Sequence, residues 1–140
     1  MKKVFMDTNV VIDFLANRQP FAMDVAMLFD LAVNGKARIF IAAVSYNNIY
    51  YILRRFMSGN ATLKLLKELA DITQITDVTA NVIRQSLKTD FKDYEDAIQY
   101  HCALSIPKLD FIVTRNTKDF KKSELAILTP TEALASLNGA

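Results

Sequence analysis

At 140 residues the chain is long enough for one domain with its own core, and 51% apolar with 23% charged residues excludes a disordered composition. A net charge of +2 does not demand a polyanionic partner, although it leaves room for a local basic face. One cysteine, Cys102, excludes an internal disulfide, and no apolar run approaches the roughly 20 residues of a bilayer span, so a protein of a reducing cytoplasm, not of a membrane, is expected.

The opening Met1-Lys2-Lys3-Val4-Phe5-Met6 has the charge and apolar character of a secretion signal, but Asp7, Asn9 and Asp13 interrupt any apolar stretch that would follow. Val4–Met6 reads as a first strand. Asn9–Ala16 and Phe21–Asn34 read as helices, the second stopped by Asn34-Gly35. Arg38–Ala42 is a second strand, too continuously apolar to have a wet face. Ser45–Met57 is helical with Ser45 as its cap, and Ser58-Gly59-Asn60 ends it. Ala61–Leu69 is a helix and Asp71–Thr76 a strand rich in β-branched residues. Thr79–Ser86, with Thr79 as its N-cap, and Tyr94–Ser105 are helices, the latter stopped by Pro107. Phe111–Val113 is strand four, Leu125–Leu128 a short fifth, and Thr129-Pro130 opens a last helix with Pro at its first position.

Strands separated by helices imply an α/β protein: three layers, α/β/α, around a central parallel sheet of four to five strands, here one domain over residues 1–140. If the first strand is central, the chain changes sides of the sheet on its way to strand four. A crevice then lies outside the carboxyl ends of those two strands. Asp7 follows the first strand and Thr114-Arg115-Asn116-Thr117-Lys118-Asp119 follows the fourth, so two acid-bearing turns are expected to face each other.

Asp93 and Asp96 are three residues apart and share a face at the start of a helix. Asp93 also fits a simple helix cap; Asp96 borders the apolar set Ala97, Ile98, Tyr100, Ala103 and Leu104, where a carboxylate needs a partner or a cation. Converging carboxylates repel one another and their pKa values rise unless a counter-charge intervenes. A hard divalent cation such as Mg²⁺ supplies it and activates water for attack on a phosphodiester. With one histidine and one cysteine, zinc sites and Cys-His nucleophile pairs are poorly supported.

Three segments carry a family resemblance: Val4-Phe5-Met6-Asp7-Thr8-Asn9-Val10, Asp93-Tyr94-Glu95-Asp96-Ala97, and Ile112-Val113-Thr114-Arg115-Asn116-Thr117-Lys118-Asp119-Phe120. With them the chain resembles the PIN-domain ribonucleases over essentially its whole length, many bacterial members of which look like the toxin halves of VapBC-type toxin–antitoxin pairs. The resemblance implies a PIN-like fold, RNA cleavage dependent on Mg²⁺ or Mn²⁺, a homodimer, and a cognate antitoxin. It implies that Asp7 is the first metal-site acid, that Asp96 is the acid of the late helix, and that the turn holding Asn116 and Asp119 supplies the last, with Asp119 able to carry charge. Thr114 resembles the hydroxyl that holds the first Asp, and Asn9 the polar residue beside it. The chain departs from the common pattern at Asn48, which falls where many such nucleases carry a Glu. An amide offers an oxygen but no charge, and Asp93 would restore that charge. The resulting expectation is in-line attack by metal-activated water, with Asp7, Asp96 and Asp119 on the metal and Asp93 and Asn48 assisting.

Other polar residues have plainer readings. His101 reads as a surface or packing residue and Cys102 as a small buried hydrophobe. Asp13, Asp24, Asp30 and Asp71 read as solvated or capping acids. Tyr46, Tyr50 and Tyr51 suit packing in a core or dimer better than base stacking. Arg54, Arg55, Arg115, Lys118, Lys121 and Lys122 flank the expected site and would suit an RNA backbone. Two rival functions remain open: a PIN-like module that binds RNA or protein without cleaving, motivated by Asn48, and a phosphohydrolase with Asp7 as nucleophile, for which the chain offers neither a clear lysine motif nor a cap domain.

Overall fold

A computed structural model of the chain describes residues 1–120 and 123–138. Five strands form one sheet in the order β3-β2-β1-β4-β5, and every pairing is parallel. They are β1 (Lys2–Met6), β2 (Ala37–Ala42), β3 (Gln74–Thr76), β4 (Phe111–Val113) and β5 (Ala126–Leu128). The helices are α1 (Thr8–Leu15), α2 (Ala22–Val33), α3 (Ala43–Leu53), α4 (Gly59–Ile72), α5 (Ala80–Lys88), α6 (Tyr94–Leu104) and α7 (Pro130–Asn138), with a 3₁₀ turn at Thr117–Phe120.

The sheet is buried on both faces, which is why its strands read as unbroken apolar runs. Successive side chains alternate between two cores. Val4, Met6, Ile39, Ile41, Phe111 and Val113 enter one core with α1, α2, Ile49 and Leu53 of α3, and α7. Phe5, Phe40, Ala42 and Ile112 enter the other with Val82 of α5 and Ile98, Tyr100, Cys102 and Ala103 of α6. The expected α/β/α layering follows, with β1 central and the reversal of strand order between β1 and β4.

Several boundaries differ from the sequence reading, each for a local reason. Ser58 does not end α3; it caps α4, accepting from the Ala61 N–H at 3.2 Å, so α3 stops at Leu53 and Gly59-Asn60 lie inside the next helix. That helix runs through Asp71 to Ile72, leaving only Gln74–Thr76 as strand. Nor does Ser45 cap α3. The helix begins two residues earlier, at Ala43, and Ser45 is fully buried within it. Three other end signals behave as expected. Gly35 takes φ +73° after α2, Thr79 caps α5 through Val82 N–H at 3.1 Å, and Thr129 caps α7, its hydroxyl accepting from the Glu132 N–H while Glu132 Oε1 accepts from its own N–H.

Candidate functional site

Asp7 occupies the N-cap position of α1, yet its side chain makes no capping hydrogen bond. The carboxylate turns instead toward β4, where the buried Thr114 hydroxyl donates to Asp7 Oδ2 at 2.9 Å. The backbone prepares this contact: Asp7 N–H donates to Val113 O at 3.0 Å, extending the β1–β4 pairing to the last residue before the helix. Asp7 is only 6% exposed. Burial pushes its pKa up to about 6; the Thr114 hydroxyl and the Thr8 backbone N–H, which falls short of a capping bond, pull it down, and Glu95 and Asp119 push it further up.

Asp96 lies in the first turn of α6. Its pKa is pushed up to about 7, chiefly by desolvation and then by the negative charges of Asp7, Asp93, Asp119 and Glu95. Asp119 stands on the 3₁₀ turn after β4, exposed toward the same space. A cavity of about 440 Å³ is lined by Lys92, Asp93, Tyr94, Asp96 and Asp119. Acids from the start of α6 and the turn after β4 therefore share one crevice, and Asp7, at the end of β1, lies near enough for its charge to raise the Asp96 pKa.

Asp93 is the N-cap of α6: its Oδ1 accepts from the Glu95 N–H at 2.9 Å. Asn48 is half-buried on α3, and its amide donates to Glu95 Oε1 at 2.8 Å. Glu95, which the sequence reading did not single out, is thus tied to α3 and neighbours Asp96 within Asp93-Tyr94-Glu95-Asp96. Asn116 is exposed, its N–H donating to the Thr114 hydroxyl at 3.2 Å and its carbonyl accepting from Asp119 N–H at 3.0 Å, which shapes the turn that carries Asp119. Asn9 is exposed in the first turn of α1.

Beneath the acids lies a buried polar triad. The Thr8 and Ser45 hydroxyls are 2.6 Å apart, and the Gln99 amide donates to both, at 3.2 and 3.1 Å. One residue comes from each of α1, α3 and α6, so the triad ties together the helices that carry or follow Asp7, Asn48 and Asp96. Gln99 Oε1 is buried without a hydrogen-bond partner.

Asp13 is the clearest correction to the sequence reading. It is neither solvated nor a cap but wholly buried, with Arg115 Nε 2.6 Å from its Oδ2, Arg115 Nη2 donating to Oδ1 at 3.2 Å, and Arg18 Nη1 3.7 Å from Oδ1. The shortest of these contacts is an ion pair without hydrogen-bond alignment, since neither Arg115 Nε nor Asp13 Oδ2 has an aligned partner. Arg115 also sits 4.1 Å above the Phe21 ring, so its charge is compensated within the fold. Asp24 accepts from the Thr131 hydroxyl of α7 at 2.7 Å, whereas Asp30 and Asp71 are exposed.

Lys118 is exposed beside Asp119. Arg54 and Arg55 lie past the end of α3, roughly 9 Å along its axis from Asn48, and Arg54 donates to Met57 O. Lys121 and Lys122 lie outside the described residues. Tyr46 packs against the first core with its hydroxyl 3.1 Å from that of Thr73, while Tyr51 is 66% exposed. His101 contacts the Thr89 hydroxyl at 2.6 Å and lines a different cavity, with Thr79, Gln85 and Ser105; Cys102 is buried.

The donor set at the crevice is all oxygen, carboxylates with an amide beside them, and this chemistry fits a hard divalent cation rather than zinc. Among the described residues no group of three His, Cys, Asp or Glu side chains already closes on a single ligating point.

A family model described as PIN domain matches residues 3–118. Among curated proteins no match is found. Among solved structures, the chain is similar to DNA-bound VapBC from Salmonella typhimurium, at 18% identity and a TM-score of 0.70, with 93% of this chain and 99% of that chain covered. It is similar to VapBC-1 from nontypeable Haemophilus influenzae at 16% identity and a TM-score of 0.69, with 92% and 98% covered. It is also similar to VapC20 from Mycobacterium tuberculosis, a sarcin–ricin loop cleaving toxin, at 13% identity and a TM-score of 0.60, with 78% and 86% covered. At these identities the likeness is one of fold. No helix among the described residues is long and apolar enough to cross a membrane.

Proposed function

The chain belongs to the PIN-domain family, and from that premise we propose that it is a metal-dependent endoribonuclease. The observation that carries the reading is that Asp96 and Asp119 line one crevice with Asp7 close by, and that burial together with neighbouring negative charge raises the pKa values of Asp7 and Asp96. Acids held this way at a cost to the fold are a signature of function rather than packing.

Asp7, Asp96 and Asp119 would hold Mg²⁺ or Mn²⁺. When bound, such an ion lowers the pKa of a coordinated water and offsets charge developing on a phosphodiester. Thr114 fixes Asp7 Oδ2 and so orients the buried acid of the set. Asp96, with a pKa of about 7, gives up its proton when a counter-charge arrives, which makes the site proton-bound in acid and ready for a cation near neutrality. Lys92 on the cavity wall and Lys118 on the neighbouring turn are positioned to meet an RNA backbone. The fold likeness to the VapBC complexes supports a place for this chain as the toxin of a toxin–antitoxin pair, with an antitoxin protein as partner.

A ribonuclease assay with Mg²⁺ or Mn²⁺ tests the reading. Cleavage should be lost on adding EDTA and in Asp7→Asn, and cleavage that persists in both would sink it. A second reading, a PIN-like module that binds RNA or protein without cutting, is favoured by the acids not being closed around one point among the described residues. RNA binding that is unchanged by millimolar Mn²⁺, with no cleavage, would establish it.

A further inference from the structure

Between Ala43 and Lys67 the chain has no Asp or Glu, although it has 15 of them in all. The same stretch carries Arg54, Arg55, Lys64 and Lys67, every one exposed. It forms α3 and most of α4, which pack beside each other. A chain of net charge +2 therefore keeps one uniformly basic segment. Among the described residues neither Arg54 nor Arg55 has an acidic partner, since the ion pairs all end on Asp13.

The outer side of α3 presents this charge together with an aromatic ring. Ser45, Ile49 and Leu53 are buried, and Asn47, Tyr51 and Arg54 recur on the opposite side, bordered by Asn48. Arg54 N–H donates to Tyr50 O at 3.1 Å and Arg55 N–H to Ile52 O at 3.2 Å, so the turn of the helix carries on to both arginines. Tyr46 of the same helix packs against a core, but Tyr51 is 66% exposed. The Tyr50 ring braces it, with centroids 5.5 Å apart at 82°, and leaves most of it in water. The stripe starts beside the crevice: Asn48 donates to Glu95 Oε1, in the same turn of α6 as Tyr94 and Asp96 of the cavity lining. Tyr51 lies about one helical turn further out and Arg55 about 10 Å along the axis.

Each part fits one kind of partner. An exposed tyrosine offers its face to an unpaired base, and arginines without an acidic partner suit phosphates. A second copy of the chain fits less well, because a two-fold contact through this stripe sets arginine against arginine with no acid from either α3. A base-paired duplex also fits less well, since its bases are already stacked on one another. We infer that the α3 stripe of Tyr51, Arg54 and Arg55 docks a single-stranded RNA that leads into the acidic crevice, with a base stacked on Tyr51. The inference rests on the ribonuclease reading for the identity of the strand, and adds its unpaired state and its path.

Fluorescence anisotropy of a labelled single-stranded RNA of about 12 nucleotides, titrated with the full chain in EDTA, tests this without cleavage. Tyr51→Ala should weaken binding by at least about fivefold, and Tyr51→Phe, which keeps the ring, should bind as the parent does. Arg55→Gln should weaken binding and lower the slope of log affinity against log salt by about 0.7. Lys36→Gln, just before β2 at the opposite edge of the sheet, should change neither. The same sequence as a paired duplex should bind less tightly and be indifferent to Tyr51→Ala; an equal loss for the duplex overturns the unpaired state. If Tyr51→Ala binds RNA as the parent does, the docking stripe is overturned, and a simultaneous fall in sedimentation coefficient would assign the surface to a second copy. Cleavage with Mn²⁺ by the parent then leaves the ribonuclease reading standing. RNA bound through Tyr51 but never cut supports the stripe and overturns that reading instead.

Discussion

The Thr114 hydroxyl donates to Asp7 Oδ2 at 2.9 Å across 107 residues of chain. One side of this bond ends β1 and the other follows β4, so the central strand pairing and the first acid of the site are set by the same contact. Both residues are buried. A carboxylate there keeps its charge only as far as its hydrogen bonds allow.

Replacing that donor should therefore be felt as a change in proton affinity. Thr114→Val preserves shape and removes the hydroxyl, and the Asp7 pKa should rise beyond about 6. The acidic limb of the pH–rate profile should move to higher pH, with an activity loss near neutrality on the order of tenfold. A profile lowered at every pH but not displaced would mean that Thr114 serves only the fold.

The metal-free chain should lose stability as pH rises. Asp7 and Asp96 have folded-state pKa values of about 6 and about 7 against an ordinary 3.8, so the folded state binds protons that the unfolded state has already released. Between about pH 4 and pH 7 the slope of unfolding free energy with pH is therefore negative. Thermal melts in EDTA should show a higher Tm at about pH 5 than at about pH 7.5, and Mn²⁺ should raise Tm most at the higher pH, where it no longer competes with protons. A metal-free Tm that climbs over this interval would contradict the electrostatic picture of the crevice.

The Asp13–Arg115 pair is the site's anchor to α1. Arg115→Ala leaves a wholly buried Asp13 with only the distant Arg18, and should cost about 3 kcal/mol in urea unfolding. Asp13→Asn with Arg115→Met should cost less than Arg115→Ala alone, because no buried charge is stranded. Equal losses in the two cases would show that the pair contributes packing rather than charge compensation.

The Thr8–Ser45–Gln99 triad should behave as a unit. Ser45→Ala and Gln99→Leu each leave buried hydrogen-bonding groups unmatched and should each cost about 1–3 kcal/mol. Their combination should cost clearly less than the sum, since the second change removes groups that the first had stranded. Additive losses in a double-mutant cycle would dissolve the network into independent bonds.

What was legible in the sequence was what depends on short range. The unbroken apolar strands announced a sheet covered on both faces, and the acids at strand ends and at the α6 start announced the crevice. Other features needed tertiary partners. Ser45 has a cap's chemistry, but Thr8 and Gln99 draw it into the interior. Asp13 is an unremarkable acid until Arg115, from a turn after β4, closes on it. Asp71 was misassigned because β-branched neighbours outweighed the helix that Ser58 had started. Glu95 stood beside a recognised acid, and only Asn48 from another helix distinguishes it.

The pairing of β1 with β4 also sets an order of assembly. Asp7 precedes its partner Thr114 by 107 residues, and the turn bearing Asp119 comes later still. Closing so long a loop is entropically unfavourable until β4 is available to fill the sheet, so the crevice is among the last features to form. A nascent chain holds one buried-to-be carboxylate and no site. Whatever chemistry the crevice performs is therefore withheld until the segment bearing β4 and its following turn has been made.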